Sequence, residues 1–557
     1  MTEYRCKNVV CLQSQLVVIS VVEKATPPPL LSAIGVCVMV GMALIWRNIN
    51  SKIKGENRTF SSLLFQYLAV KAVCWLGKRQ RQKLEADTLT VKEVQEQTLL
   101  KRLHKNANTC YGKQYDFSSI HDSDVFRARH PITSYNHYQE LIRRVAAGEE
   151  KVIIAKKPLI LAMTSGTSGS SAMLLSTKDT NTEFFLQGVA VCLDAMQRAF
   201  PATNNLQRTT KFFYTPTFRQ SENGIPIGPN SFTPASYHHM LNLYTTPAPA
   251  FNDRWQELVR DIEEGKVSSD LALEPKVRTS LEALVKPDPK RAAQLRAHFQ
   301  EGFRGIARRL WPHLNLVLAV DSGSNQIYGE MLRENYCQGV PFYSPFYAAT
   351  EESSLEDESP QTLLMEEVTE GHNYELVITN ASGLYRYRIG DIVKVVGFHN
   401  RCPIVEFLYR RGQMLNVRGE KVSETLFLGA LKKAVAQWPG AQLVDYSCAE
   451  SGIMGDSIGG SDPHYQVFIE LKGVRKLSEE QRYKLDICLQ QDSAVYKSFR
   501  VKGSIGSVRV QLVAEGAFRE LSKKMMDFSN TSPNTFKMQR VLRKKEYADF
   551  LLGKTVS

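Results

Sequence analysis

The sequence predicts an α/β protein in which a large N-terminal domain precedes a smaller α+β C-terminal one. Three observations carry this. The chain has 557 residues, 43% hydrophobic and 23% charged, which is too long for one small core and suits a large plus a small domain. Residues 158–163 (PLILAM) read as a strand that leads through a Ser/Gly turn into Met173, Leu174 and Leu175 and then a helix-like segment over 182–200. Near the C-terminus, a strand candidate at 464–472, a helix at 478–497 and a strand at 504–513 make a βαβ-like tail. The expected boundaries are a terminal segment at 1–56, the large domain at 57–418 and the small domain at 419–557.

From the N-terminus, Pro27, Pro28 and Pro29 lead into an uncharged run over 30–46. It is about 17 residues long, at the lower limit for crossing a bilayer. Gly35, Gly41 and Trp46 suit a membrane helix with an interfacial aromatic, and Arg47, Lys52 and Lys54 follow it. A membrane anchor is the expectation; a cleaved signal peptide with an apolar run at 16–22, and a buried helix, compete with it. Residues 60–80 are apolar with basic punctuation and should pack on a membrane or on the large domain. Helices are predicted over 91–106, 252–264 and 291–310, the second with Trp255, Leu258, Val259 and Ile262 on one face. Pro287-Asp288-Pro289 breaks the chain between the last two. The net charge is +13, but lysines and arginines are interspersed with acids, as over 472–482, so no nucleic-acid partner is expected. Ten cysteines occur without CxxC pairs or histidines at zinc-ligand spacing, which points to a reducing compartment.

Three segments concentrate chemistry. Residues 374–424 combine strand-forming alternation with Arg386, Arg388, Asp391 and a Gly-Glu-Lys turn. Burying such charges unpaired costs several kcal/mol, so they must face water or line a polar cavity. Residues 164–171 (TSGTSGSS) alternate glycines with hydroxyls, and such a loop can turn backbone N–H groups onto phosphate oxygens. It can equally be a flexible connection, and it lacks the GxxxxGK[ST] pattern of P-loop NTPases. Residues 347–351 (YAATE) follow an aromatic run and could set Thr350 and Glu351 at a strand's C-terminal edge. Glu351 could hold a divalent metal, or the same residues could cap a helix.

In this order and separation, the three segments resemble the Gretchen Hagen 3 family of acyl-acid amido synthetases, which are adenylate-forming enzymes. The resemblance spans residues 95–545. It rests on Ser165–Gly169 (SGTSG), Tyr347–Glu351 (YAATE), Gly383–Asp391 (GLYRYRIGD) and Gly397–Asn400 (GFHN). The hydrophobic N-terminus is similar to the animal branch of the family. The resemblance implies a large adenylate-forming domain with a mobile C-terminal domain. It implies that Ser165, Gly166, Thr167, Ser168 and Gly169 bind phosphate, and that Tyr347 and Thr350 bind the nucleotide. Glu351 would bind Mg²⁺ and take part in catalysis, and Asp391 would accept hydrogen bonds from the ribose hydroxyls. Arg410 and Lys421 fall in an interdomain hinge with nucleotide contacts, and Lys537, in NTFKMQR, matches the lysine that the small domain swings into the site. Ser324, Phe342 and Tyr343 fall where the family holds the acyl group. One departure stands out: Met173 occupies the place of a loop lysine common in the family.

The implied reaction uses ATP and Mg²⁺ to adenylate a carboxylic acid and passes the acyl group to an amino acid or amine. Such chemistry needs positioning and charge neutralisation but no covalent nucleophile. A ligase that uses coenzyme A, and a non-catalytic nucleotide-binding membrane protein, remain as alternatives. The expected location is the endoplasmic reticulum membrane or nuclear envelope, with the catalytic domain in the cytosol.

Overall fold

The computed structural model describes residues 28–52, 60–163, 172–203, 218–229, 255–269, 275–321, 323–344, 360–411, 414–454, 462–529 and 536–557. The chain divides into two units, one of residues 1–75, 204–211 and 235–248, the other of residues 76–203, 212–234 and 249–557.

In the first unit the uncharged run forms the helix Pro28–Lys52. It meets the start of the helix Phe60–Asp87 through Ile49, Leu63 and Tyr67. Val36, Met39, Val40, Met42 and Leu44 are exposed. Among the described residues no helix is long and apolar enough to cross a membrane, so no spanning anchor is found there.

The second unit holds the sheets. β1 (Ile160–Met163) pairs antiparallel with β2 (Met173–Ser176), β3 (Arg219–Gln220) pairs with β4 (Pro226–Gly228), and the sheet order is β2-β1-β4-β3. β5 (Val317–Leu318) and β6 (Phe342–Tyr343) form a parallel pair. β7 (Asn373–Ile378), β8 (Tyr387–His399) and β9 (Cys402–Arg410) form an antiparallel meander across the charged segment. The predicted helix at 91–106 is present with those bounds. The one predicted at 291–310 is two, Pro289–Gln300 and Ile306–Leu310, because Gly302 and Gly305 between them take φ of 102° and 67°, outside helical space.

β10 (Gln442–Glu450), β11 (Tyr465–Lys472), β12 (Arg509–Leu512) and β13 (Val541–Leu542) build the C-terminal sheet in the order β12-β11-β10-β13. Alternation along β11 explains its two buried faces. Tyr465, Val467, Ile469 and Leu471 pack against the helices Glu424–Val435 and Glu479–Asp492, through Phe427, Leu431, Leu485 and Leu489. Phe468 points the other way, into a core with Leu521 of Ala517–Ser529 and Leu551 of Lys545–Gly553. The helix predicted at 478–497 breaks at Ser493, whose hydroxyl caps the next helix by accepting from Tyr496 N.

Two local devices position the charged meander. Tyr138 Oη accepts from Tyr385 N at 2.8 Å and donates to Tyr385 O at 3.0 Å, while Thr133 Oγ1 donates to the same carbonyl at 2.8 Å. These tie the start of β8 to the buried N-terminal helices. Gly383 makes the approach possible: at φ 88° a Cβ would lie 2.7 Å from the methyls of Ile153 and Ile154. After β9 the chain turns through Leu415 and Val422, which bridge each other. Glu420 shapes that turn from within, its carboxylate accepting from Val417 N at 2.7 Å, Arg418 N at 2.8 Å and the buried Tyr465 hydroxyl.

Glu420→Ala strips the acceptor from a buried hydroxyl and two backbone amides. It should lower stability by about 2–4 kcal/mol, read as a reduced urea midpoint with an unchanged slope. A midpoint equal to the wild type's would show that the turn does not depend on this carboxylate.

Candidate functional site

Strand register builds the centre of the site. β8 and β9 set Asp391 opposite Arg410. Arg410 grips both carboxylate oxygens, Nε to Oδ1 at 2.5 Å and Nη2 to Oδ2 at 3.0 Å. Gly390 precedes the aspartate with φ 75°, a left-handed turn inside a strand that glycine adopts at little cost and that aims the next side chain. Asp391 is 0% exposed and the Arg410 side chain 10% exposed, so the pair is held out of water. A bidentate guanidinium is the partner that makes such burial tolerable.

The other arginines of the segment go elsewhere. Arg388 donates to Glu375 through Nε at 3.0 Å and Nη2 at 2.7 Å, and Arg411 Nη1 reaches the same carboxylate at 3.0 Å. Burial works to raise the Glu375 carboxyl, and the two guanidiniums outweigh it and hold it below the usual range. Arg386, at φ 45°, donates to the carbonyls of Arg127 and His130 and to Thr362 Oγ1. Its charge serves the scaffold.

Lys537, 146 positions beyond Asp391 in the chain, joins the pair in space. Burial lowers its ammonium pKa and Arg410 pushes the same way, while Asp391 and Glu424 resist. Glu424 is itself raised by burial, against Arg540, the Ser324 hydroxyl, Lys537 and Arg410. Two cations and two carboxylates therefore share one desolvated centre. Ser324, buried, donates its hydroxyl to Glu424 Oε2 at 3.3 Å.

The remaining predicted residues are less convergent. Ser165, Gly166, Thr167, Ser168 and Gly169 lie outside the described residues, as do Tyr347, Thr350 and Glu351. Their flanks are described: Met163 and Met173 are opposite one another in β1 and β2, so the Ser/Gly segment joins the ends of a hairpin. Phe342 and Tyr343 are neighbours on a strand, where successive side chains alternate faces. Arg333 covers the Phe342 ring at 5.0 Å, while Tyr343 meets Phe200 with ring centroids 6.0 Å apart. Burial and the Cys192 thiol raise the Tyr343 hydroxyl pKa. Lys421 is exposed on the turn between Leu415 and Val422, at φ 48°. Among the described residues no group of three or more His, Cys, Asp or Glu could hold a metal ion.

Glu424 and Arg540 were not among the predicted site residues. Glu424 follows the helix cap Ser423 and reads as ordinary first-turn acid; only the fold brings it to Lys537.

Replacing Glu424 with Gln removes a carboxylate that favours the Lys537 ammonium. The Lys537 pKa should then fall further below that of an ordinary lysine, by NMR titration of the ¹³C-methylated amine. An unchanged titration would separate the two groups.

Comparison with known proteins follows the same order along the chain. The GH3 family N-terminal domain matches residues 80–253 and 248–342, the central domain 341–410 and the C-terminal domain 427–546. A mouse GH3 domain-containing protein is 44% identical over 299 residues, which are 48% of this chain and 56% of that one. A human GH3 domain-containing protein is 33% identical over 533 residues, covering 87% of this chain and 92% of that one. A rice (Oryza sativa subsp. indica) indole-3-acetic acid-amido synthetase, GH3.8, is 26% identical over 565 residues, 84% of this chain and 91% of that one. The solved GH3.15 acyl acid amido synthetase shares the fold, with a TM-score of 0.72, 22% identity, and coverage of 86% and 96%. With its three domain matches in sequence and a relative aligned over most of both lengths, the chain belongs to the GH3 family.

Proposed function

We propose that the protein is an ATP-dependent acyl-acid amido synthetase. The observation that carries this reading is the desolvated Lys537 facing the buried Asp391–Arg410 pair. In the first half-reaction a substrate carboxylate oxygen attacks the α-phosphorus of ATP, the P–O bond to pyrophosphate breaks, and an acyl-adenylate forms. In the second, an amine nitrogen attacks the acyl carbonyl, AMP leaves with the bond electrons, and the nitrogen loses a proton. The amido synthetase names of the rice relative and of GH3.15 support the class.

Asp391 is assigned to the ribose hydroxyls, because an ionised carboxylate accepts hydrogen bonds and hydroxyls donate them. Arg410 holds that carboxylate in place, and Lys421 borders the hinge. Ser165–Gly169, Tyr347 and Thr350 are assigned to the phosphates and nucleotide, and Ser324, Phe342 and Tyr343 to the acyl group. Glu351 would hold Mg²⁺, which when bound neutralises charge on the phosphates. Lys537 supplies a cation where charge develops as pyrophosphate leaves; in a partly desolvated site such a cation acts more strongly than in solution. Met173, in place of a cationic loop residue, favours a second reading, a protein that binds nucleotide without turnover.

For localisation, we propose the cytosolic face of the endoplasmic reticulum or nuclear envelope. The exposed apolar residues of Pro28–Lys52 support contact with the membrane surface. The full chain should co-sediment with anionic phospholipid vesicles, and Met39→Glu with Leu44→Glu should abolish that. Equal sedimentation of the variant removes the membrane from the reading.

Lys537→Ala should lower acid-dependent ATP–pyrophosphate exchange by about 10²–10³-fold, the scale for losing one aligned charge-stabilising group. Turnover of a supplied acyl-adenylate should be retained. Equal loss of both in a folded variant makes Lys537 structural. No exchange by the wild type with a broad panel of carboxylic acids favours nucleotide binding alone.

A further inference from the structure

Arg540 lies three residues beyond Lys537 and is 4% exposed. Its Nη1 donates to Tyr446 O at 2.6 Å and to the Asp445 carboxylate. Its Nη2 donates to Ser324 O at 2.8 Å. The guanidinium lies 4.6 Å from the Tyr446 ring centroid and 5.5 Å from that of Tyr328. Tyr328 Oη closes the ring of contacts by donating to Asp445 Oδ2 at 2.6 Å. Asp445, Tyr446 and Arg540 fall in the GH3 C-terminal domain, whereas Ser324 and Tyr328 fall in the N-terminal one. The cluster therefore crosses between domains. It is not a lone contact: Ile327 packs into the C-terminal core, and Lys432 pairs with Glu330 beside it.

The segment that carries Lys537 depends on this cluster. Cys448 N donates to Arg540 O at 2.8 Å and Ser447 Oγ to Gln539 O at 2.6 Å, so residues 539–540 are fixed to β10. Through Arg540 and Asp445 that strand edge is in turn fixed to Ser324 and Tyr328. A contact that served only to join β13 to β10 would need Asp445 and the backbone bonds alone. It would not need the tyrosine hydroxyl of the other domain or the carbonyl of Ser324.

We infer that Arg540 and Tyr328 are positioning residues, an interdomain latch that holds the C-terminal domain in the orientation where Lys537 faces Asp391. The inference builds on the proposed adenylation role of Lys537. Releasing the latch moves Lys537 away from the Asp391–Arg410 pair, favouring the second half-reaction over the first. The closed state is made specific by the two interdomain partners of the buried guanidinium, the Ser324 carbonyl and the Tyr328 ring, which Arg540 has only when the domains meet.

The test reads geometry before activity. Tyr328→Phe deletes one interdomain hydrogen bond to a carboxylate and keeps the ring. Losing such a bond should raise the population of the opened state roughly tenfold. Acylation of Lys537 by a water-soluble N-hydroxysuccinimide ester, followed by peptide mass spectrometry, should accelerate by the same factor in the full chain without substrates. Arg540→Lys should accelerate it at least as much, with folding checked by near-UV circular dichroism. An unchanged Lys537 labelling rate in folded Tyr328→Phe overturns the latch, whatever the enzyme's activity. If the wild type shows pyrophosphate exchange, Tyr328→Phe should lower it while sparing turnover of supplied acyl-adenylate. Equal loss in both half-reactions also overturns the latch. If the wild type shows no exchange, the adenylation reading fails while the labelling result still decides the latch.

Discussion

The buried pairing of Asp391 with Arg410 is the constraint around which the site is arranged. A carboxylate with no exposed surface is tolerable only if a cation satisfies both of its oxygens. The β8/β9 register provides that cation directly across the ladder, and the turn at Gly390 directs the carboxylate toward it. The start of β8 is fixed in turn by hydrogen bonds from Tyr138 and Thr133 to the backbone of Tyr385. The pair is thus tied through β8 to Tyr138 and Thr133.

Lys537 and Glu424 join the pair, and the charge balance at the centre is close. Arg410 and Lys537 oppose Asp391 and Glu424. Burial depresses the lysine and raises the glutamate, and neighbours of opposite charge work against both shifts. An incoming polyanion would tip such a centre strongly, because its charges meet cations that have little water around them. The same balance explains why Glu375 takes up Arg388 and Arg411 separately. Left near Asp391, those two guanidiniums would crowd the centre with positive charge.

Local pattern made much of this legible. Alternation marked the strands of the charged segment, and the two apolar stretches that flank the Ser/Gly run are strands. The helix over 91–106 ends where its periodicity ends. Pattern failed where glycine geometry or packing intervened. The periodicity over 291–310 continues across Gly302 and Gly305, but the backbone there does not. An uncharged run at the N-terminus reads as a membrane span, yet among the described residues no helix is long and apolar enough to cross a membrane.

What the sequence determined by itself is the chemical inventory and its local order: a Gly-Asp pair in a strand, an arginine one strand on, and a lysine near the C-terminus. Those follow from spacing and residue type. Only the tertiary structure decided that Arg410, and not Arg386 or Arg388, takes Asp391. Strand register across a bulged ladder is set by the whole sheet and its turns. It also brought Glu424 to Lys537 and set Tyr328 and Arg540 against Asp445. Each reads locally as an ordinary cap, helix or strand residue. Their roles come from contacts 100 or more positions apart in sequence, between Ser324 and Glu424 and between Ser324 and Arg540, and no local pattern encodes those.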